Sequence, residues 1–393
     1  MPDHLPEVAG DRVGERELSL YLHVPICASR CGYCDFNTYT LAQLGSGAPG
    51  DIGRWLHAEL ALARRVLDAT GRTIPPLATI FIGGGTPTML TPGQLGALVD
   101  DARDRFGLAP GAEISCEANP ETITPAVLDG LLAAGFTRLS LGMQSACEPV
   151  LRTLDRVHTP GQALRAARDA HRAGFTEVNL DLIYGTPGES MDDWRASLDA
   201  ALSVTPEHLS AYALTVEDAT PLARRIREGA LPGIDEDDLA DKYLLADEVL
   251  TQAGLANYEI SNWARPGHEC RHNLAYWRGA DWWGAGPGAH SHIAGFRWWN
   301  LRHPRAWGAA LDADTWPGAG CELLDERARH EEAVMLGVRI ADGLPLSQLD
   351  EVERSRVPAL VGDGLARVDA DDRLHLSPTG RLLADKVTRD LLD

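Results

Sequence analysis

Six short runs with β-strand composition recur along the chain, and a segment with the apolar spacing of a helix follows each run. The runs span residues 18–24, 78–84, 113–119, 138–145, 177–185 and 208–214. Strands that alternate with helices pair in parallel, because each helix returns the chain to the same edge of the sheet. The pattern therefore predicts an α/β fold in which six β-α units form a partial (β/α)6 barrel.

The residue composition and the predicted secondary structure of the chain change twice after the sixth run. Residues 236–320 hold eight of the ten tryptophans, and no long linker precedes them, so we expect an extension of the barrel domain. Residues 321–393 have the pattern of helices, a small hairpin and a last helix, which predicts a winged-helix-like α+β module. The predicted organisation is thus an N-terminal tail at 1–17, a barrel at 18–235, the extension and this module.

Charge and hydropathy limit the partners. The net charge is −21, and a nucleic-acid surface needs a basic patch. Residues 322–393 carry ten Arg or Lys against sixteen Asp or Glu, so for a winged-helix-like module a cap or a protein-docking element is a better interpretation than DNA binding. We see no signal peptide and no run of 18 apolar residues, so we expect a cytoplasmic protein.

Three cysteines stand close together directly after the first run. Cys27, Cys31 and Cys34 form a C-x-x-x-C-x-x-C spacing, and three neighbouring thiolates can bind three irons of a cubic cluster and leave the fourth iron open. A structural zinc site would need a fourth Cys or His, usually in a second C-x-x-C knuckle, and the other four cysteines are scattered singly. The spacing favours an iron–sulfur cluster, although zinc or inert thiols remain open at this point.

Glycines and polar side chains follow the other runs. Gly83–Pro87 ends the second run, Glu117 and Gln144 lie at the ends of the third and fourth, Arg156 follows the fourth, and Asp181 lies in the fifth. In a parallel barrel the ligand site lies at the carboxyl ends of the strands. Glycines let the backbone approach a ligand closely, and the polar groups could hold ribose hydroxyls and a zwitterionic amino acid. Each polar residue alone is more often a surface or structural group, and their placement on consecutive units is what favours a site.

These segments together resemble a known superfamily. The segments Tyr21–Cys27, Gly83–Pro87, Glu117–Pro120, Leu139–Ser145 and Asn179–Gly185, with the cysteine spacing, are similar to radical S-adenosylmethionine (SAM) proteins of the oxygen-independent coproporphyrinogen oxidase group. The resemblance implies that Cys27, Cys31 and Cys34 hold a [4Fe-4S] cluster and that SAM chelates the open iron. It also implies a set of residues that line the SAM site, namely Tyr21, Tyr33, Gly84, Gly85, Thr86, Glu117, Gln144, Arg156 and Asp181.

Two further segments distinguish the branches of this group. Authentic oxidases carry another cysteine two residues after the third, whereas Cys34 is followed here by Asp35, Phe36 and Asn37. This sequence and the later segment His272–Trp277 are similar to the heme chaperones called HemW. The resemblance implies binding of heme and its transfer to an acceptor protein, and the residues implied in heme binding are His272, Asn273, Tyr276 and Trp277.

The chemistry of imidazole supports the heme assignment, and other interpretations of these residues remain open. Imidazole is a common axial ligand of heme iron, and His272 and Tyr276 would share one face of a helix. The alternative for the segment is a polar cluster packed against the barrel, and the other candidate iron ligands are His268, His290, His292 and His303.

An enzyme is the alternative function. The chain could be an oxygen-independent coproporphyrinogen III oxidase or another radical SAM enzyme of porphyrin biosynthesis. The missing fourth cysteine argues against the oxidase, and we assign no catalytic residue. The resemblance leaves open a peripheral association with membrane-bound heme acceptors and an oligomeric state that depends on the cluster.

Overall fold

The computed structural model describes residues 4–45 and 47–393, so residues 1–3 of the predicted N-terminal tail lie outside the described part. The strands are, in chain order, β1 (Leu18–Val24), β2 (Ile26–Cys27), β3 (Tyr39–Thr40), β4 (Leu77–Gly84), β5 (Leu108–Ala118), β6 (Arg138–Gln144), β7 (Glu177–Tyr184), β8 (His208–Ala213), β9 (Ala256–Glu259), β10 (Asn262–Ala264), β11 (Asp281–Ala285), β12 (His290–Ile293), β13 (Phe296–Asn300), β14 (Gly318–Leu323), β15 (Leu344–Pro345), β16 (Ala366–Val368) and β17 (Arg373–Leu376).

Helices connect these strands. They are α1 (Glu7–Gly10), α2 (Leu41–Leu44), α3 (Ala48–Asp68), α4 (Pro92–Phe106), α5 (Pro125–Ala133), α6 (Glu148–Thr153), α7 (Gln162–Ala173), α8 (Met191–Leu202), α9 (Pro221–Arg227), α10 (Glu236–Gln252), α11 (Arg271–Trp277), α12 (Pro304–Asp312), α13 (Glu326–Gly337), α14 (Glu351–Gly362), α15 (Pro378–Leu382) and α16 (Ala384–Leu392). Among the described residues, no helix is both long enough and apolar enough to cross a membrane.

One large sheet organises the molecule. Its strand order is β14-β13-β12-β11-β1-β4-β5-β6-β7-β8-β10-β9. The strands from β11 to β8 pair in parallel, whereas the strands at both edges pair antiparallel. The predicted α/β fold with a largely parallel sheet is confirmed, and the six predicted runs correspond to β1 and β4 through β8.

Strand β11 is a seventh parallel strand that the sequence analysis did not predict. It pairs with β1 across the sheet, with Leu18 beside Asp281 and Leu22 beside Ala285. Its aspartate and its glycine are residue types depleted in strands, and a hairpin rather than a β-α unit follows it. The tryptophan-rich residues thus continue the main sheet, while the exact domain boundaries stay a prediction.

Burial of the strands and helices follows from their sequences. Every residue of β6 is buried, as expected for a parallel strand that is covered on both faces. Helix α3 buries Ile52, Leu56 and Leu60, which lie four residues apart on one face. Helix α4 begins at Thr91, whose side chain forms a capping box with Gln94.

The last 70 residues have a core of their own. Strands β15, β17 and β16 form a three-stranded sheet, and α13, α14 and α16 pack on an apolar cluster that includes Val334, Val357 and Leu374. The side chain of Arg381 donates a hydrogen bond of 2.9 Å to Asp247 in α10. This contact holds the C-terminal module against the main sheet.

A buried glutamate joins α3 to the edge of the sheet. Glu59 is 0 % exposed and accepts hydrogen bonds from the Gly286 amide at 2.7 Å, from Asn300 Nδ2 at 2.6 Å and from Trp307 Nε1 at 2.8 Å. Burial raises the pKa of Glu59 to about 7, and the three donors oppose the shift. One carboxylate therefore holds together the end of β11, β13 and α12.

Candidate functional site

The cysteine loop lies at the carboxyl edge of the sheet, between β1 and α2. The Gly32 amide donates to Leu154 O at 3.2 Å, and the Leu222 amide donates to Gly32 O at 2.9 Å. Arg30 donates to the carbonyl of Cys34 at 3.1 Å. These bonds hold the loop over the ends of the strands, as the sequence analysis expected.

The side chain of Asn37 ties the same loop to the tryptophan-rich part of the sheet. Asn37 Nδ2 donates to Pro287 O at 2.8 Å and to Arg302 O at 2.7 Å. His23 in β1 lies 3.0 Å from Asn37 O through its Nε2. The neighbouring Phe36, which replaces part of the oxidase motif, is 63 % exposed.

The three loop cysteines are free thiols that influence one another. Cys27 is buried, and Cys31 and Cys34 are partly exposed. Burial raises the pKa of the Cys27 thiol to about 11; the charges of Cys31 and Cys34 also raise it, and hydrogen bonds from Thr86 and Thr38 lower it. Three thiols in one short loop are a donor set that can serve one polynuclear group.

The number of thiols in the loop bears on the kind of metal group that it could hold. Among the described residues, no group of three or more His, Cys, Asp and Glu side chains converges on the position of a single ion. Structural zinc draws four ligands to one ion, whereas a cubic cluster takes each cysteine on a different iron. Three cysteines in one loop are the donor set that a cluster with one open iron needs.

Glycines at the end of β4 let the backbone pass close to Cys27. A Cβ atom on Gly85 would lie 2.9 Å from Cys27 Sγ and 2.6 Å from Ile26 O. Gly84 has a φ of +113°, and its amide donates to Glu117 Oε2 at 2.9 Å. The backbone therefore approaches the thiol so closely that only glycine fits at Gly85.

We expect Gly85→Ala to weaken cluster retention, because the added methyl group must displace either the Ile26 backbone or the Cys27 thiol. Iron and sulfide content after anaerobic reconstitution measures the effect, and we expect it to fall by at least half. Gly233→Ala is the matched control, since no atom lies within 4 Å of the added Cβ there. Equal iron content in both variants would contradict the prediction.

Asn119 connects the glycine segment Gly83–Pro87, which we call the glycine lip, to Cys31, although the sequence analysis did not single it out. Its Nδ2 donates to Thr86 Oγ1 at 2.9 Å, and its Oδ1 accepts from Arg156 Nη2 at 2.8 Å. Arg156 Nη1 in turn donates to Cys31 Sγ at 3.3 Å. Asn119 lies inside the segment Glu117–Pro120 that carried the resemblance, and this was the available signal.

Arg156 also offers a donor to a ligand. Its Nε is buried and has no hydrogen-bond partner among the described residues. A guanidinium beside a thiol favours the thiolate form, which is the form that binds metal. Arg156 can therefore donate to Cys31 Sγ through Nη1 and still donate to a bound carboxylate through Nε.

Two carboxylates face the interior of the barrel behind the glycines. Burial raises the pKa of Glu117 to about 8, and the charge of Asp181 adds to the shift. Asp181 accepts from Ser140 Oγ at 2.7 Å and from Asn179 Nδ2 at 2.8 Å. Such a pair can accept hydrogen bonds from an ammonium group or from ribose hydroxyls.

The remaining residues predicted for SAM lie near these groups. Gln144 is buried with a φ of +62° at a bulge of β6, and a Cβ on Gly142 would meet Gln144 Nε2 at 2.9 Å and Arg156 Nη2 at 3.3 Å. The charges of Cys31 and Arg156 act on the pKa of Tyr33, which burial raises. The predicted residues thus lie together, while their role in SAM binding stays a prediction.

The segment His272–Trp277 lies on α11, and its histidine faces the barrel. His272 is 1 % exposed, with Nδ1 2.6 Å from Thr79 Oγ1 and Nε2 2.8 Å from Tyr276 OH. Because the Thr79 hydroxyl donates to Ser19, it accepts from His272 Nδ1, which leaves Nε2 to accept from Tyr276. Burial lowers the pKa of His272 to about 3.

The other motif residues divide between two sides of α11. Asn273 donates to Tyr258 OH and to Glu259 Oε1, both at 3.2 Å, on the barrel side with His272 and Tyr276. Trp277 lies at the opposite end and lines a cleft beside the C-terminal module. The barrel side resembles the packed polar cluster that the sequence analysis kept as an alternative.

The alternative histidines are dispersed. His268 pairs with Glu177 at 2.8 Å, and His292 is buried between Ala280 O and the Gly295 amide. His303 caps α12. His290 is exposed and stacks on Trp299 with ring centroids 5.8 Å apart.

The barrel contains a small cavity next to the two carboxylates. Its volume is about 240 Å³, and its walls include Tyr21, Asp181, His208, His272 and Tyr276. Sites that bury a drug-sized ligand occupy roughly 300–1,000 Å³. The cavity therefore suits a small group or part of a larger ligand.

The chain is similar to known proteins both in sequence and in structure. Residues 21–201 match the radical SAM superfamily. The chain is 55% identical over 376 residues to the heme chaperone HemW of Mycobacterium tuberculosis, which covers 95% of this chain and 94% of that protein. It is 40% identical over 293 residues to HemW of Escherichia coli, with 73% and 75% covered. The solved structure of Escherichia coli coproporphyrinogen III oxidase, HemN, matches with a TM-score of 0.84 at 25% identity and covers 98% of this chain and 92% of that one.

Proposed function

We propose that this chain, which belongs to the HemW family of heme chaperones in the radical SAM superfamily, binds heme and passes it to an acceptor protein. The observation that carries the proposal is the 55% identity to a protein named heme chaperone over 95% of the chain. Cys34-Asp35-Phe36 and the α11 motif support it, since the sequence analysis singled out both for the chaperone branch.

The barrel cavity is small compared with a complete tetrapyrrole. The cavity of about 240 Å³ is below the range that encloses even a drug-sized ligand, and the His272–Tyr276 hydrogen bond lies in its wall. We therefore place heme outside the barrel.

The cofactors are part of the proposal. We assign a [4Fe-4S] cluster to Cys27, Cys31 and Cys34 and SAM to the neighbouring glycines and carboxylates. When bound, the cluster supplies a redox centre with one iron open to the amino-acid end of SAM. The chain holds the thiolates beside Arg156 and offers Glu117 as an acceptor at the lip.

The cellular setting belongs to the same proposal. We place the protein in the cytoplasm, where it meets either a dissolved acceptor or the exposed face of a membrane-bound one. The redox state or presence of the cluster could then control oligomeric state and heme release.

Heme titration combined with an oxidase assay tests the function. We expect reconstituted protein to bind heme with a Soret band, and to form no protoporphyrinogen from coproporphyrinogen III over many turnovers with SAM and reductant. Multiple turnovers would show an enzyme, and absence of heme binding would contradict the chaperone proposal.

The same titration tests His272 as the iron ligand. Because its Nε2 already accepts from Tyr276 and Nδ1 donates to Thr79, we expect His272→Ala to leave the Soret position unchanged. His57→Ala, at a half-exposed histidine of α3, is the matched control. A shifted Soret band in His272→Ala alone would instead identify His272 as the ligand.

A further inference from the structure

A cleft separates α11 and β12 from the C-terminal module. Its volume is about 370 Å³, it is open to solvent, and Trp277 is one of its lining residues. Helix α13 and the segment that leads into β15 form its far wall. This cleft lies on the side of α11 that faces away from the barrel cavity.

Arginines dominate the charge of this cleft. Arg16, Arg278, Arg329 and Arg373 line it, and we call it the arginine cleft; Glu332 and Asp342 are its acidic residues. The cleft thus has two more positive than negative charges, whereas the whole chain has a net charge of −21. Such a local excess concentrates anions at one place on an acidic protein.

The arginines retain donor capacity for a ligand. Arg278 pairs with Asp342 at 2.6 Å, Arg16 donates to Gly279 O at 3.1 Å, and Arg373 donates to Gly343 O at 2.8 Å. Arg329 Nη1 is buried and has no hydrogen-bond partner among the described residues. Each guanidinium has five N–H donors, so these contacts leave several free.

Apolar groups complete the cleft. Trp277, Leu336, Ile340, Leu344 and Pro345 contribute to the walls. A tryptophan can pack on the face of a flat aromatic ligand, and arginines bind carboxylates in pairs of parallel hydrogen bonds. The combination fits a planar apolar molecule that carries carboxylates at one edge.

We propose that the arginine cleft receives the propionate edge of heme, with Trp277 against the macrocycle. This assignment rests on the proposed chaperone function and locates its cargo. A volume of 370 Å³ is at the lower end of the range for enclosed ligands, so it holds the edge and leaves most of the porphyrin outside.

The iron has no free imidazole in this cleft. His292 is the histidine among the lining residues of the described chain, and both of its ring nitrogens have partners, Ala280 O at 3.0 Å and the Gly295 amide at 3.1 Å. Heme held by its propionates keeps its iron available to ligands of the acceptor. The α11 motif then has two roles: His272 and Tyr276 complete the barrel wall, and Trp277 contacts the cargo.

Anaerobic titration of the reconstituted full chain with hemin and with hemin dimethyl ester tests the assignment. The double variant Arg278→Gln/Arg329→Gln removes two cleft charges, and Arg172→Gln/Arg195→Gln removes two exposed arginines of α7 and α8 as the matched control. We expect the cleft variant to bind hemin at least about tenfold more weakly than wild type, because charge-assisted bonds are lost. Its affinity for the ester, and the affinity of the control variant for hemin, should equal those of wild type.

The outcomes separate the assignment from the function on which it rests. Wild-type protein that binds no hemin would overturn the proposed function and the assignment together. Wild-type protein that binds hemin and its ester equally well would overturn the assignment alone, and this comparison needs no variant to fold. Equal hemin affinity in the cleft and control variants, with matching circular dichroism and thermal midpoints, would also overturn it.

Discussion

Replacing Cys31 by alanine is expected to remove the iron–sulfur cluster, with iron falling from about four to less than one per chain after anaerobic reconstitution. Cys31 is partly exposed, so its loss should leave the protein folded. The variant also removes the sulfur that accepts from Arg156, and the guanidinium then has no anionic partner there. Two remaining thiolates hold a cubic cluster poorly, because half of its irons lack a protein ligand.

Iron and sulfide analysis with optical spectra measures this effect. Cys321→Ala is the matched control, since Cys321 is an exposed free thiol in β14 at the far edge of the sheet. We expect the control to retain the full iron content. Normal iron content and an unchanged spectrum in Cys31→Ala would show that the cluster is bound elsewhere or is absent.

Replacing Glu59 by alanine is expected to destabilise the fold by about 4 kcal/mol, since it leaves two buried donors without an acceptor and leaves Asn300 Nδ2 with Gly286 O alone, and each lost partner costs about 1–3 kcal/mol. The donors to Glu59 are the Gly286 amide, Asn300 Nδ2 and Trp307 Nε1. The urea midpoint of the variant relative to wild type measures the loss. Glu148→Ala, at a glutamate with 68% side-chain exposure, should change stability by about 0.5 kcal/mol or less.

The pH dependence of stability tests whether burial raises the pKa of Glu59 in the folded protein. Because burial raises the pKa of Glu59 from 4.5 to about 7, its contribution to stability is complete below pH 4.5 and is lost as the pH rises through 7. The loss is about 3 kcal/mol. Glu59→Gln cannot titrate, so the difference in stability between wild type and this variant should shrink or reverse over that range. Parallel curves for the two proteins would contradict the raised pKa.

The architecture was predictable because parallel strands leave a strong local signal. Six buried runs with helical segments between them identified β1 and β4–β8 within a few residues, although β5 begins five residues before the predicted start, at Leu108. Pro110 and Gly111 interrupt the β pattern there. Strand β11 escaped prediction because its partner β1 lies more than 250 residues away, and no local pattern encodes such a pairing.

The candidate site was predictable where a motif joined residues near in sequence. The cysteine loop and the glycine lip were found in this way, whereas the Asn119 bridge between Thr86 and Arg156 depends on distances that only the fold provides. The α11 motif shows the same limit. Its four-residue spacing placed His272 and Tyr276 on one face correctly. The spacing could not show that the two side chains form a hydrogen bond with each other.

The position of Asn37 has a consequence for synthesis on the ribosome. Its side chain holds the cysteine loop to the carbonyls of Pro287 and Arg302, which are translated more than 240 residues later. Until those residues emerge, β1 lacks its β11 neighbour and the loop lacks two of its anchors. Metal delivered to the nascent chain would therefore meet thiols that are not yet positioned. The contacts that hold the cysteine loop can be complete only after about three quarters of the protein has been made.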